Sequence, residues 1–251
     1  QQEEDTEKAQ QEKQENGKTS KAGNFHITDE QLGTGTLKEK YRRNVEAIQL
    51  LKQLEEENRQ ADRFEQETLS NYVGWGGLSD VFDANKQNWT EEYNELKELL
   101  TDAEYKAARE SVLNAHFTQP VIIESIYKAL EQMGFRNGNV LEPSMGIGNF
   151  FGVMPESMRG SKLYGVELDD ISGRIARQLY PDAEIQITGY ENSGYPDDFF
   201  DVAVGNVPFG NYQIYDRRYE RQHFMIHDYF LAKTLDQLRS GGVAAFITSK
   251  G

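Results

Sequence analysis

The sequence contains no cysteine among its 251 residues, so disulfide bonds, thiolate metal sites and a cysteine nucleophile are all excluded. Basic residues are also scarce, because 27 lysines and arginines stand against 42 aspartates and glutamates, a formal net charge of −15. This balance excludes a protein that binds nucleic acid through bulk positive charge, although it leaves room for a local basic surface.

Long apolar stretches are missing as well. A transmembrane helix needs about 18 consecutive apolar residues, and no such run occurs. The first 24 residues also lack the apolar segment of a signal peptide. We therefore expect a cytoplasmic protein without membrane contact. The chain begins at Gln1 and stops at Gly251 directly after an apolar run, so we expect it to be part of a longer protein.

Two regions are expected in the front part of the chain, before the strands begin. Residues 1–24 contain only two apolar residues, both alanine, which predicts a disordered charged linker. Residues 25–115 show apolar side chains at helical spacing and no strand pattern, which predicts a helical N-terminal extension. The first helix of this extension is expected to begin after Thr36, whose side chain can cap it.

Residues 116–251 alternate between short apolar runs and helical stretches. Such alternation predicts a parallel sheet with helices on both faces, whose ligand lies at the carboxyl ends of the strands. The expected helices cover 120–133, 171–179 and 227–238, and the expected strands cover 139–141, 163–166, 185–187, 201–204 and 243–248.

The loop after the first expected strand is rich in residues that allow close backbone approach. It contains Glu142, Pro143 and Ser144, and then Gly146 and Gly148. Two glycines separated by one residue can bring the backbone and a helix N-terminus to a ligand, although an ordinary strand-to-helix turn has the same pattern. Phe151 occupies the third glycine position of the dinucleotide motif, which disfavours a nicotinamide cofactor.

Acidic residues follow the next two expected strands. Glu167 lies about 20 residues beyond the glycines, where an acid can accept from two ribose hydroxyls. The alternative is that the neighbouring Asp169 caps a helix and no ligand is held. Glu191 follows the third strand and can accept from the exocyclic amine of an adenine, with Tyr190 packing on the ring, or it is a solvated loop acid.

The fourth expected strand runs into Asn206, Val207, Pro208 and Phe209. These are in part turn residues, so a plain turn is one interpretation. The other is that an asparagine oxygen and a nearby carbonyl accept the hydrogens of an amine while the aromatic ring stacks on a flat base.

This last segment resembles the Asn-Pro-Pro-Tyr/Phe motif of amino-group methyltransferases that use S-adenosyl-L-methionine, although Val207 replaces a proline. Phe117 and Thr118 lie in a segment similar to the family's first cofactor motif, residues 142–150 resemble its cofactor loop, and Glu167 and Glu191 match its ribose-binding and adenine-facing acids. The resemblance implies a Rossmann-like methyltransferase fold, incomplete at its C-terminal end, over residues 116–251. If the family mechanism holds, position 207 contributes its carbonyl, so valine is tolerated there.

The order of these motifs is similar to that of N6-adenine DNA methyltransferases. Residues 33–44 and 72–78 further resemble the methylase segment of large DNA methylase–helicase proteins of bacterial conjugative elements and phages. This resemblance implies methyl transfer to N6 of a flipped adenine in DNA, with no metal. It also implies that DNA is bound largely by other domains, among them downstream recognition and helicase-like domains of the same longer chain.

Three questions stay open at this point. Arg217, Arg218 and Arg221 either contact DNA phosphates or form an exposed salt-bridged loop. The methyl acceptor is DNA, or else RNA or a protein glutamine, because similar motifs serve those substrates. A non-catalytic module that binds the cofactor or DNA is the remaining alternative.

Overall fold

The computed structural model of the protein describes residues 22–29, 32–112 and 118–248. Residues 1–21 of the predicted linker and Phe117 of the predicted cofactor motif lie outside this part of the chain, so the predictions made for them are not tested. None of the helices within the described ranges is both long and apolar enough to cross a bilayer.

The N-terminal extension is helical, as predicted. Thr36 caps the first helix, because its hydroxyl accepts from the Glu39 N–H while the Glu39 carboxylate accepts from the Thr36 N–H at 2.7 Å. The same reciprocal arrangement begins the second and fourth helices. The four helices are α1 (Leu37–Glu56), α2 (Arg63–Ser70), α3 (Thr90–Leu99) and α4 (Asp102–Ser111).

The second part of the chain forms a five-stranded sheet in which every neighbouring pair is parallel. The strands are β1 (Asn139–Glu142), β2 (Lys162–Glu167), β3 (Glu184–Ile187), β4 (Phe200–Asn206) and β5 (Leu238–Ile247). Their order across the sheet is β3-β2-β1-β4-β5, which is the order of a Rossmann-like fold. The predicted fold class, a parallel sheet preceded by a helical extension, is confirmed. Strands β2 and β3 are added on one side of β1, and β4 and β5 on the other. The strand order therefore reverses between β1 and β4, and a ligand crevice is expected there.

Helix α5 (Pro120–Gln132) precedes β1. The later helices α6 (Asn149–Val153), α7 (Asp170–Leu179) and α8 (Ile226–Gln237) connect β1 to β2, β2 to β3 and β4 to β5. The expected boundary between the last helix and the last strand is wrong. Strand β5 begins at Leu238, which pairs with Phe200, and the register then shifts so that Val243 pairs with Val202. The intervening residues 239–242 form a bulge, and Gly241 provides its positive φ of 80°.

The extension and one face of the sheet share a single hydrophobic core. Ile48 and Trp75 of the extension belong to the same buried cluster as Val202 of β4 and Ile175 of α7. The opposite face of the sheet packs against α8 and forms a second hydrophobic cluster. Successive residues of β1 point to opposite faces, so Leu141 belongs to this second cluster while its neighbour Val140 belongs to the first. The extension therefore belongs to the same folded unit as the sheet.

Polar contacts fix the extension to α7 in particular. The buried Gln66 of α2 donates to the Gln178 carbonyl at 3.1 Å, and the Ala61 N–H donates to the Gln178 side chain at 2.8 Å. Arg174 of α7 pairs with Glu55 at 2.7 Å and with Glu104 at 2.9 Å. Arg174 lies in the first half of α7, which starts at the carboxyl end of β2, so its ion pairs bring the extension towards the expected ligand crevice.

Candidate functional site

A cavity of about 710 Å³ lies at the carboxyl ends of the first four strands. This volume falls within the range of small-molecule sites, roughly 300–1,000 Å³. The cavity brings together most of the predicted site residues, although they come from five separate segments of the chain. Those that line it are Thr118, Glu142, Pro143, Ser144, Gly146, Glu167, Glu191, Asn206, Val207, Pro208 and Phe209.

The loop after β1 follows the wall of this cavity through two left-handed glycines. Gly146 has φ +55° and Gly148 has φ +86°, a conformation that other residues adopt at a cost. A Cβ on Gly146 would meet no atom within 4 Å, whereas a Cβ on Gly148 would lie 2.5 Å from the Tyr180 ring. Gly146 therefore serves the turn, and Gly148 serves the packing behind it. Helix α6, which follows, has only five residues and so contributes little dipole.

Glu167 at the end of β2 ties the glycine turn to the sheet. Its Oε2 accepts from the Gly146 N–H at 2.6 Å, and its Oε1 accepts from the Asp169 N–H at 2.7 Å. Each carboxylate oxygen can accept a second hydrogen bond, so capacity remains for two hydroxyl donors. Burial raises the pKa of Glu167 to about 7, although the backbone N–H groups of Asp169 and Gly146 oppose this shift.

Asp169 has the capping role considered above as an alternative. Its carboxylate accepts from the Ser172 N–H at 2.8 Å and from the Ser172 hydroxyl at 2.6 Å, at the start of α7. The two acids at this strand end therefore differ in role. Asp169 starts the helix, and Glu167 faces the cavity.

Two further acceptor atoms are buried at the first strand. Within the described residues, Oε2 of Glu142 and Oδ1 of Asn149 have no hydrogen-bond partner. Burial raises the pKa of Glu142 well above its ordinary value, and the charge of Glu167 adds to this shift. Orphaned buried acceptors of this kind are uncommon in folded proteins.

The loop after β4 forms the other end of the cavity. The Asn206 Nδ2 donates to the Thr118 hydroxyl at 3.3 Å, which joins the segment of the first cofactor motif to the 206–209 loop. The Val207 N–H donates to the Ile247 carbonyl of β5 at 3.2 Å, a bond that proline cannot make. The Val207 side chain is buried, so its replacement of the usual proline is accommodated by the core.

The region after β3 differs in part from expectation. Glu191 lines the cavity as predicted, and its carboxylate accepts from Asn192 at 3.0 Å. Tyr190 is a core residue whose hydroxyl donates to Gln237 at 2.6 Å and whose ring packs 4.9 Å from that of Phe230. Because these contacts bury the Tyr190 ring, packing its face on a ligand is not supported.

The predicted arginine cluster divides into two kinds of residue. Arg218 pairs with Asp197 at 2.6 Å and with Asp236 at 3.0 Å, as the salt-bridged alternative expects. Arg217 and Arg221 are exposed and do not line the cavity. Contact of this cluster with DNA stays a prediction.

The N-terminal extension also lines the cavity, which the sequence did not predict for residues 72–74 or for the end of α4. Residues 72–74 after α2 line it, and so do Ala107, Glu110 and Ser111 at the end of α4. In the sequence the glycines at 74, 76 and 77 indicated only the end of a helix. They gave no signal that this turn reaches the strand ends.

The charge of the lining is all of one sign. Among the described lining residues there is no lysine, arginine or histidine. The acidic ones are Glu110, Glu142, Glu167, Asp169 and Glu191. A cavity lined in this way concentrates cations and repels phosphate groups.

Comparison with known proteins finds no matching protein-family profile. The chain is 34% identical over 140 residues to "Defense against restriction protein B" of Escherichia phage P1, an alignment that covers 54% of the chain but 6% of that protein. The chain thus spans a small part of this relative.

Solved structures of similar shape include two described as putative methyltransferases. A putative S-adenosyl-L-methionine-dependent methyltransferase from Methanococcus maripaludis has a TM-score of 0.37 and 15% identity, covering 63% of this chain and 62% of that one. A putative class I S-adenosylmethionine-dependent methyltransferase from Listeria monocytogenes has a TM-score of 0.43 and 15% identity, covering 83% and 73%. Scores this low do not identify a substrate.

Proposed function

We propose that this chain is the catalytic part of an S-adenosyl-L-methionine-dependent methyltransferase that methylates N6 of a flipped adenine in DNA. One observation carries the proposal. A single cavity holds a ribose-type acid, Glu167, at the end of β2 and the amine-accepting loop 206–209 at the end of β4. A cofactor site and an acceptor site therefore share one cavity.

The cavity fits this cofactor better than it fits a dinucleotide. Glu167 keeps two acceptor positions for the ribose hydroxyls. The cofactor carries a sulfonium and an ammonium charge, which the acidic residues of the lining attract when ionised, whereas the same residues repel the phosphates of a nicotinamide dinucleotide.

When bound, the cofactor supplies an electrophilic methyl group on sulfur. The protein then has to present an amine to it. The Asn206 amide and the Val207 carbonyl accept the two amine hydrogens and so direct the nitrogen lone pair, and Phe209 stacks on the base. The bond from Asn206 to Thr118 holds the amide in place. Catalysis is then chiefly positioning and preorganised polarity.

DNA is the acceptor that the comparisons favour. The phage P1 relative is named for defence against restriction, a process that acts on DNA. Flipping a base out of a duplex costs a few kcal/mol and requires firm contact with the strand. We infer that other parts of a longer protein supply much of this contact, because the chain itself carries a net charge of −15.

Calorimetry with S-adenosyl-L-methionine and transfer of a tritiated methyl group test the proposal. Glu167→Ala should weaken cofactor binding by about tenfold to a hundredfold, since charged hydrogen bonds contribute roughly 1.5–3 kcal/mol. Labelled DNA, digested to nucleosides, should contain N6-methyladenine. Label in RNA or in protein glutamine instead would refute the DNA assignment, and cofactor binding without transfer to any acceptor would favour a non-catalytic module. Wild-type affinity in the Glu167→Ala variant would refute the cofactor site.

A further inference from the structure

One wall of the cavity comes from the helical extension. Residues 72–74, here called the extension wall, lie along the cavity together with Asp169 and Ser172 at the start of α7. Burial raises the pKa of Tyr72, and the carboxylates of Asp169 and Glu167 act in the same direction. The extension wall is therefore close to the acid that would hold the ribose.

A single buried amide fixes this wall. Asn44 of α1 is 0% exposed, and both ends of its side chain bond to the wall's backbone. Its Nδ2 donates to the Gly74 carbonyl at 2.6 Å, and its Oδ1 accepts from the Val73 N–H at 2.9 Å. Burying an amide costs free energy unless its hydrogen bonds are made. The two hydrogen bonds therefore hold the backbone of residues 73 and 74 in a fixed position relative to Asn44.

The wall is also supported from behind. Trp75 is fully buried, with its ring centroid 6.5 Å from that of Tyr72 and 5.5 Å from that of Phe82. Gly74 has φ +72°, a left-handed conformation that makes the turn between the lining residues and this anchor. The shape of the wall is thus set by the extension and not by the sheet.

We propose that the extension wall belongs to the cofactor site, where it covers the nucleoside half beside Glu167, and that Asn44 is the positioning residue that holds it there. This inference rests on the proposed function, because it assumes that the cavity binds S-adenosyl-L-methionine. It adds that the sheet alone does not make a complete cofactor site.

Two buried amides of the extension offer a matched comparison. Asn44→Leu removes the bonds to the wall. Gln66→Leu removes buried bonds to the backbone of Gln178, Leu179 and Gly23, which do not line the cavity. Both variants should melt at lower temperature than the wild type. Only Asn44→Leu should weaken binding of S-adenosyl-L-methionine, by at least tenfold, with Gln66→Leu staying within twofold.

The assignment of the extension wall to the nucleoside half of the cofactor is tested with 5′-methylthioadenosine, which lacks the amino-acid part of the cofactor. Asn44→Leu should weaken its binding by a factor similar to that for the whole cofactor. A loss seen with the whole cofactor alone would overturn the assignment to the nucleoside half. A folded Asn44→Leu protein with wild-type affinity for both ligands would overturn the inference entirely.

Hydrogen exchange of the wild-type protein needs no variant. It tests whether the extension wall belongs to the cofactor site even if Asn44→Leu does not fold. Added S-adenosyl-L-methionine should protect peptides covering 144–150 and also those covering 72–78. Protection of the first set without the second would overturn the inference and leave the proposed function intact. A wild-type protein that shows neither protection nor binding heat would refute the proposed function itself, and this inference with it.

Discussion

Cofactor affinity should depend on pH through Glu167. Burial raises the pKa of this carboxyl to about 7 in the ligand-free protein, so the neutral and charged forms are both present at neutral pH. The charged form is the better acceptor for two ribose hydroxyls and the one that a cationic cofactor favours. Binding should therefore select the carboxylate and release a proton, and affinity should fall as the pH falls through 7.

The size of the effect follows from the pKa. If the bound carboxylate stays ionised, the dissociation constant is multiplied by one plus the ratio of neutral to charged Glu167. With a pKa of about 7 this factor is about 11 at pH 6, about 2 at pH 7 and about 1.1 at pH 8. Binding at pH 6 should thus be about tenfold weaker than at pH 8, or about 1.4 kcal/mol.

Calorimetry at these three pH values, in two buffers of different ionisation enthalpy, measures both the affinity and the protons released. Glu167→Gln provides the comparison, because it keeps an acceptor oxygen but does not titrate. The amine of the cofactor titrates in both proteins, whereas the variant loses the Glu167 charge that raises the pKa of Glu142. The difference between the two pH profiles therefore reports Glu167 together with its coupling to Glu142. Identical profiles for wild type and Glu167→Gln would refute the reasoning.

Three other predictions concern separate parts of the structure. Asn206→Ala should abolish methyl transfer while calorimetry shows cofactor affinity within a few-fold of wild type; normal transfer would exclude its role as amine acceptor. Gly148→Ala should lower the free energy of unfolding by about 2 kcal/mol or more in urea titrations, since its Cβ would lie 2.5 Å from the Tyr180 ring at positive φ; an unchanged midpoint would show that the turn relaxes. Arg217→Ala should weaken DNA binding more than Arg218→Ala in fluorescence titrations, because Arg218 is already paired with two aspartates; the opposite order would show that those ion pairs break on binding.

The sheet was predictable because of how parallel strands are buried. Strands covered on both faces appear in a sequence as short continuous apolar runs, and all five expected runs form strands. The last boundary was wrong because Leu238 pairs with Phe200 across a bulge that contains two glycines. Glycines normally indicate a turn, and only the neighbouring strand shows that these lie within a strand.

Much of the candidate site was also predictable, since a parallel sheet gathers the ends of its strands at one edge. The 142–148 loop, Glu167, Glu191 and residues 206–209 lie at that edge as expected. The extension wall was not predictable, because its place depends on packing between residues far apart in the chain. One signal was available: Asn44 follows Tyr41 by three positions on the apolar face of α1, where an amide requires a buried partner.

The charges of the chain and of its cavity point to a division of roles under the proposed function. The charged residues of the lining are all acidic, and where they are ionised they attract a cationic cofactor. The excess of acidic residues repels DNA phosphates. Binding of DNA therefore has to depend on local cations such as Arg217 and Arg221 or on other parts of a longer protein. Removing Glu167 should therefore change cofactor affinity, whereas removing Arg217 should change DNA affinity and its dependence on salt. In a double variant, the loss of cofactor affinity should equal that of the Glu167 variant and the loss of DNA affinity should equal that of the Arg217 variant. The two losses should be independent because Arg217 lies outside the residues that line the cavity.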